Sequence, residues 1–377
     1  MNARKISPSR RAFLRQLALG GAALALGGHA VRGQSQPASS AAAGGRKLGI
    51  ALMGLGRYST GELAPALERA QHCRLAGVIT GDREKGRKWS EQYAFSAKNI
   101  FSYDTIGDIA ANPDIDIIYV VTPPGLHRDH VLASAKTGKH IICEKPMANS
   151  VAECDEMIAA CRAANVQLSI GYRLAFEPHH LELDRLAKTR ELGPFTKITG
   201  GHGFKVSRRT WRVEKKLGGG GPLMDVGIYV IQAAVRAAGG VSPLAVTAQE
   251  MAKTDRDLFN EVEEGIRFRL EFPGGAVCEG ATSYGERMGG FRAEGAHGWF
   301  ELLPAYSYRG IDGRTSRGPL DVPKNVPQQT LQMDDFARCV TTGRPTPVPG
   351  EMGRQHMTII EAIYEAARTG QRVDVRA

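Results

Sequence analysis

The chain has 377 residues, 42% of them hydrophobic and 23% charged, and a formal net charge of +10. Five of those charges, Arg4, Lys5, Arg10, Arg11 and Arg15, lie at the start with no acid beside them. No later block of Lys and Arg with interleaved aromatics follows, which argues against nucleic-acid binding; the length beyond that start is too great for one typical core and points to two domains.

Ser9-Arg10-Arg11-Ala12-Phe13-Leu14-Arg15, followed by an apolar Gly/Ala/Leu run to Leu26, is a twin-arginine export pattern. It departs from S/T-R-R-x-F-L-K only at Arg15. The run is too short and too rich in Gly and Ala for stable membrane insertion. Small residues at Gly28-His29-Ala30 suit cleavage, so residues 1–30 read as a signal peptide and 31–46 as a linker or arm. The expected location is the periplasm, and the precursor's partner is the twin-arginine export machinery. Nicotinamide cofactors are made and recycled in the cytoplasm, so an exported enzyme using one must carry it and recycle it internally.

From Lys47 the pattern alternates. Strands are expected at Lys47–Met53, Leu75–Thr80, Ile115–Val121, His140–Cys143 and Gln167–Ile170. Helices are expected at Glu62–Gln71, Arg83–Tyr93, Leu126–Thr137 and Val151–Ala164. This alternation predicts an α/β doubly wound parallel sheet, a Rossmann domain over 47–171. Beyond residue 172 the rhythm changes to strands at Phe195–Val206, Leu244–Glu250, Glu263–Phe272, Ala276–Ser283 and Phe291–Leu303. With helices at Leu223–Ala238, Gln329–Val340 and Glu351–Arg368, residues 172–377 read as an α+β domain with a large, mostly antiparallel open sheet. Such a sheet needs a cover, which predicts a homo-oligomer, a dimer or tetramer. The six cysteines form no C-x-x-C pair and no cluster with His, so no metal site is expected. Folding before export favours free thiols, and the spacing of Cys154 and Cys161 suits core packing.

Gly54-Leu55-Gly56-Arg57-Tyr58-Ser59 follows the first strand and precedes a helix. Its glycines permit a tight turn and close approach of a pyrophosphate. The second strand ends at Thr80-Gly81-Asp82, where NAD-specific folds usually place an acid for the ribose 2′-OH. Thr80 is neutral, and Arg83 and Lys85 stand ready to neutralise a 2′-phosphate, which favours NADP; the competing reading makes Asp82 the acid and Lys85 a solvated helix residue. Glu144-Lys145-Pro146 lies at the carboxyl end of a strand, where Lys145 projects toward a ligand. Gly218 to Gly221 allow close approach of the backbone to a ligand, and Pro222 suits a helix start. Asp225 and Tyr229 then share one helix face at i and i+4. With Lys145 opposite they form a proton-transfer group; a helix-start acid beside a half-buried tyrosine is the plainer reading.

On the glycine loop, Glu144-Lys145-Pro146, Gly171-Tyr172-Arg173, Trp211-Arg212, the glycine run with Asp225 and Tyr229, Ser283-Tyr284 and the Tyr364 to Gly370 ending, the chain resembles the glucose–fructose oxidoreductase family of sugar and inositol dehydrogenases. The resemblance runs from about residue 47 to Val375. It implies tightly bound NADP, sugar substrates, export, and a ping-pong cycle that oxidises one sugar and reduces another, with an aldose–aldose relative as plausible as a glucose–fructose one. It further implies cofactor contacts from Gly54, Leu55, Gly56, Arg57, Tyr58, Thr80, Gly81, Lys85, Tyr103, Thr122, Pro123, His127, Glu144, Lys145, Arg173, Trp211, Arg212 and Tyr284, with His127 bordering the nicotinamide. Lys145, Asp225 and Tyr229 are the implied catalytic residues. The chain departs from the family at Ser59, in its short arm, and in the sugar-contacting stretch Phe176 to His180. A redox-assisted glycoside hydrolase, an ordinary dehydrogenase with exchangeable cofactor, and a non-catalytic sugar sensor are the other readings; the intact catalytic set argues against the last.

Overall fold

The computed structural model describes residues 46–375. The export pattern and most of the arm lie outside them. The first half holds β1 (Leu48–Met53), α1 (Ala64–Arg69), β2 (Cys73–Ile79), α2 (Arg83–Gln92), β3 (Ile100–Phe101), β4 (Ile117–Val120), α3 (His127–Ala135), β5 (His140–Cys143), α4 (Val151–Ala163) and β6 (Leu168–Ile170). The six strands form one parallel sheet in the order β3-β2-β1-β4-β5-β6. Strand β4 is Ile-Ile-Tyr-Val with every residue buried, as a sheet covered on both faces requires. β3 escaped the sequence reading because two residues carry no periodicity. The expected helix at Glu62–Gln71 begins instead as a wide turn at Ser59–Leu63 and ends at Arg69.

The second half holds α5 (Pro178–Thr189), β7 (Phe195–Gly203), α6 (Lys215–Gly218), α7 (Ile228–Ala237), β8 (Ala245–Glu250), β9 (Gly265–Glu271), β10 (Val277–Ser283), β11 (Phe291–Gly295), β12 (Gly298–Leu302), β13 (Gly313–Thr315), β14 (Gly318–Pro319), α8 (Gln328–Thr342), α9 (Gly350–Thr369) and β15 (Val373–Asp374). Nine strands form a sheet in the order β14-β13-β12-β11-β7-β10-β9-β8-β15. Every pair is antiparallel except β7 with β10. Helix α7 packs on β7, and α9 packs on β8, α4 and β6. One apolar core runs continuously from Ile118 and Met147 through Tyr172 and Ile360 to Phe268.

Three expectations need correction. The single strand Phe291–Leu303 is a hairpin, β11–β12, turning at Gly295–Gly298; Gly298 has φ +147° and no room for a Cβ beside Ser316. The stretch Phe176 to His180 is not an open sugar-contacting surface. Glu177 caps α5 by accepting from the His180 amide, and its other oxygen meets His179 Nδ1 at 2.6 Å, all three side chains being buried. Third, α8 belongs spatially to the first sheet: Met333 and Phe336 pack behind β1 and β2, and Asp334 accepts from the Gln71 and His72 amides. All six cysteines are buried and free. Among the described residues no helix is long and apolar enough to cross a membrane, and no His/Cys/Asp/Glu group has the makings of a metal site.

Candidate active site

The loops that follow β1, β2, β4, β5 and β6 leave the parallel sheet at its carboxyl edge. The strand order reverses between β1 and β4, the switch point at which such sheets bind ligands. Gly54 takes φ +94°, a left-handed conformation suited to glycine, with the Val121 and Thr122 backbone against it. A Cβ on Gly56 would meet nothing within 4 Å, so this face of the loop is an open cradle. Ser59, in the usual third-glycine place, is fully buried and donates to the Gly54 carbonyl at 2.6 Å, tying the loop closed. Arg57 is exposed beside it, and Leu55 is buried.

At the end of β2, Asp82 caps α2, one of its carboxylate oxygens accepting from the Lys85 amide at 2.9 Å. Thr80, buried and neutral, ends the strand, and the second Asp82 oxygen makes no hydrogen bond among the described residues. The Lys85 amine donates to the Leu55 carbonyl and so lies against the glycine loop. Tyr103 stacks on His130 at 5.0 Å, and His130 Nδ1 meets the Thr122 hydroxyl at 2.9 Å. Pro123 is half-buried just beyond. Thr80, Gly81 and Arg83 border a hollow of about 720 Å³ that extends along the β3 edge.

A smaller cleft of about 120 Å³ lies between the two sheets, lined by Tyr58, Thr122, Glu144, Lys145, Trp211, Arg212, Asp225, Tyr229 and Tyr308. Here the chemistry converges. The Lys145 amine donates to the Asp225 carbonyl at 2.6 Å, lies 3.5 Å from its carboxylate and sits 4.6 Å from the centre of the Tyr229 ring. The Asp225 carboxylate also accepts from Arg212 Nε at 2.8 Å and from the Tyr284 hydroxyl at 3.0 Å. Burial disfavours its charge, but Arg212 and Lys145 outweigh that and hold its pKa down at about 2. Asp225 and Tyr229 reach the cleft because the chain takes a wide turn at Leu223–Gly227 before α7; such turns inside helices often mark functional positions.

Glu144 is buried at the edge of the cleft. It accepts from the Tyr119 hydroxyl at 2.6 Å, and Gln332 supports that hydroxyl at 2.8 Å. Burial pushes its pKa up. Gly171 must lack a side chain, since a Cβ there would lie 2.5 Å from the Glu144 carboxylate. His202 stacks on Tyr306 at 4.7 Å and lies 5.5 Å from Tyr229; burial, aided by the charge of Lys145, pulls its pKa down to about 4.

Three residues expected to face the cofactor turn inward instead. His127 is buried, its Nδ1 3.0 Å from the Pro146 carbonyl and its Nε2 2.7 Å from the Thr122 carbonyl. It fastens the loop after β4 to the loop carrying Lys145, and does not border the cleft. Arg173 is buried with its guanidinium between the rings of Tyr229, at 5.1 Å, and Tyr308, at 4.4 Å, and bonds to the Tyr306 carbonyl and Gln328. Tyr284 is fully buried and acts on Asp225. The glycine run likewise meets protein. A Cβ on Gly220 would lie 2.0 Å from the Tyr364 hydroxyl and one on Gly221 2.2 Å from the Glu263 carbonyl. The Glu263 carboxylate accepts from the Gly221 and Leu223 amides, which fixes the approach to Asp225.

Tyr308, His202, Tyr119 and Gln332 were missed from sequence. Tyr308 sits in an irregular loop, stacked on Tyr58 at 5.8 Å. No spacing or neighbouring motif marks it, and only the meeting of two distant segments brings it to the cleft.

Residues 48–172 match the family profile described as an oxidoreductase family with an NAD-binding Rossmann fold, and residues 180–301 match the GFO/IDH/MocA C-terminal domain. The chain is 42% identical to aldose-aldose oxidoreductase from Caulobacter crescentus, whose crystal structure it matches with a TM-score of 0.84 over 87% of this chain and 100% of that one. It is 26% identical over 331 residues to D-xylose 1-dehydrogenase (NADP+) of Haloarcula marismortui, covering 85% of this chain and 91% of that protein. Levoglucosan dehydrogenase shares the fold, with a TM-score of 0.75 at 20% identity over 88% of this chain and 100% of that one. The chain belongs to the GFO/IDH/MocA oxidoreductase family.

Proposed function

We propose that this protein is a periplasmic oxidoreductase with tightly held NADP that oxidises an aldose at C1 to its lactone and reduces a second sugar in a ping-pong cycle. The observation that carries this reading is the meeting of Lys145, Asp225 and Tyr229 in one cleft at the switch point of the parallel sheet. The residues present suit NADP. The open face of Gly56 is a cradle for a pyrophosphate, and the β2 end offers neutral Thr80 with the Lys85 amine close to the glycine loop. When bound, the nicotinamide supplies the electron acceptor and donor.

The residues of the cleft hold the sugar and move the proton. Tyr229 takes the proton of the anomeric hydroxyl as C1 is oxidised. The Lys145 amine sits 4.6 Å from the centre of the Tyr229 ring and 3.5 Å from the Asp225 carboxylate, which fixes the ring at the cleft. Asp225, kept ionised by Arg212 and Lys145, accepts hydrogen bonds from sugar hydroxyls and sets their orientation. Tyr284 and Glu263 keep Asp225 in place. In the second half-cycle Tyr229 returns the proton to the incoming carbonyl.

The purified protein, with nothing added, tests this reading. Its absorbance spectrum and mass analysis are expected to reveal NADP or NADPH, with absorbance near 340 nm rising on addition of an aldose. A preparation free of nucleotide, or one holding NAD, would contradict it. The periplasmic assignment rests on the export pattern. Replacing Arg10 and Arg11 by Lys is expected to leave the precursor in the cytoplasm, and unaltered export would refute it.

A further inference from the structure

Residues 204–218 run as a strap between the large sheet and the Rossmann domain and contribute Trp211 and Arg212 to the wall of the cleft. One end is held at the large sheet, where Phe204 meets the Tyr284 ring at 5.3 Å. Midway, Arg209 pairs with Glu261, whose carboxylate also accepts from the Lys215 amide at 3.1 Å. The other end rests on the Rossmann domain. The Lys216 carbonyl accepts from Asn149 at 3.4 Å and lies so close to Gly125 that a Cβ there would be 2.0 Å from it. Between these anchors Trp211 and Arg212 line the cleft itself.

The strap is strongly basic. It carries Lys205, Arg208, Arg209, Arg212, Lys215 and Lys216 against one acid, Glu214. Arg209 is neutralised by Glu261 and Arg212 by Asp225. Lys205, Arg208, Lys215 and Lys216 are exposed and make no ion pair among the described residues. These cations lie on the same segment as Trp211 and Arg212, which line the cleft, and clefts bordered by one sign of charge focus the field and raise the local concentration of opposite charge. A neutral sugar gains nothing from that field. The 2′-phosphate end of a dinucleotide does not account for it either. That end belongs beside β2, whereas the strap is anchored after β4 and β5, on the other side of the switch point.

We propose, resting on the sugar-oxidoreductase reading above, that the strap selects sugars carrying a negative charge, a carboxylate or a phosphate away from the reacting carbon. The anionic group binds at the rim near Arg208, Lys215 and Lys216 while C1 reaches Tyr229. The test compares D-glucose and D-galactose with D-glucuronate, D-galacturonate and glucose 6-phosphate as donors to the holoenzyme at low and high ionic strength. At least one anionic sugar is expected to exceed its neutral parent in kcat/KM by about tenfold or more at low salt, with the advantage shrinking as salt rises. The uronates against the phosphate decide which anion is preferred.

A variant with Lys205, Arg208, Lys215 and Lys216 all changed to Glu is expected to lose that advantage while oxidising the neutral sugars within about twofold of the parent enzyme. Equal or lower kcat/KM for every anionic sugar overturns the proposal, as does an advantage that survives the charge reversal. Cofactor retention is measured on the same samples. A variant that sheds NADP assigns the cations to the dinucleotide and likewise overturns it. Failure of the parent enzyme to oxidise any of these sugars, charged or neutral, counts against the sugar-oxidoreductase reading and with it the strap's selectivity.

Discussion

Tyr229→Phe is expected to lose about 10²–10⁴-fold in turnover while the cofactor stays bound, the usual cost of removing a positioned proton acceptor. The substitution deletes one hydroxyl and keeps the ring. The ring is what Lys145, Arg173 and His202 pack against, at 4.6, 5.1 and 5.5 Å. The variant therefore keeps the shape of the cleft, and its stability is expected to match that of the parent. Bound nucleotide measured by absorbance separates lost chemistry from lost cofactor. Turnover near the parent level in a fully loaded variant would remove Tyr229 from the mechanism.

Asp225→Asn is expected to cost both activity and stability. At neutral pH it leaves Arg212 and Lys145 facing each other without their shared carboxylate, and removing one partner from a buried charge group typically costs about 3–5 kcal/mol. Arg212 remains partly hydrated, so roughly 3 kcal/mol and a Tm lower by about 5 °C are expected. The pH dependence has a definite sign. The Asp225 pKa lies below the ordinary 3.8, at about 2, so its ionisation favours the folded state. That contribution, about 2 kcal/mol, is present above pH 4 and is lost as pH falls from about 4 toward about 2. The Asn variant has no such charge to lose, so the stability gap between the two proteins narrows in acid. A variant with the parent Tm at pH 7 and the parent acid response would show that Asp225 is not held ionised by its neighbours.

The cleft shows what periodicity and spacing carry. Lys145 was legible because a strand end, an acid and a proline surround it. Asp225 and Tyr229 were legible because they stand four apart after a glycine run. The reason for the glycines was not. They make room for Tyr364 and Glu263, which lie far along the chain, and no local pattern announces such an approach. Arg173 and Tyr284 show the same limit in reverse. The family resemblance implied contact with cofactor, yet burial turned one beneath the Tyr229 ring and the other onto Asp225. His127 was read as a cleft residue, and two backbone carbonyls claim its ring. In the fold, long strands and helices were read within a few residues. The hairpin at Gly295–Gly298 and helix α5 were not, because a glycine-bounded turn inside an apolar run and a helix opening on Glu177-Pro178 both resemble other structures locally.

An oxidoreductase that keeps its cofactor needs a second sugar to regenerate it, as proposed above. A steady-state assay with two sugars and no added NADP reads that regeneration out. Sustained turnover beyond one equivalent of enzyme is expected, with parallel double-reciprocal lines as the donor is varied at several acceptor concentrations. Activity that appears only when NADP is supplied, with lines that intersect, would identify an ordinary dehydrogenase with exchangeable cofactor and contradict the recycling mechanism.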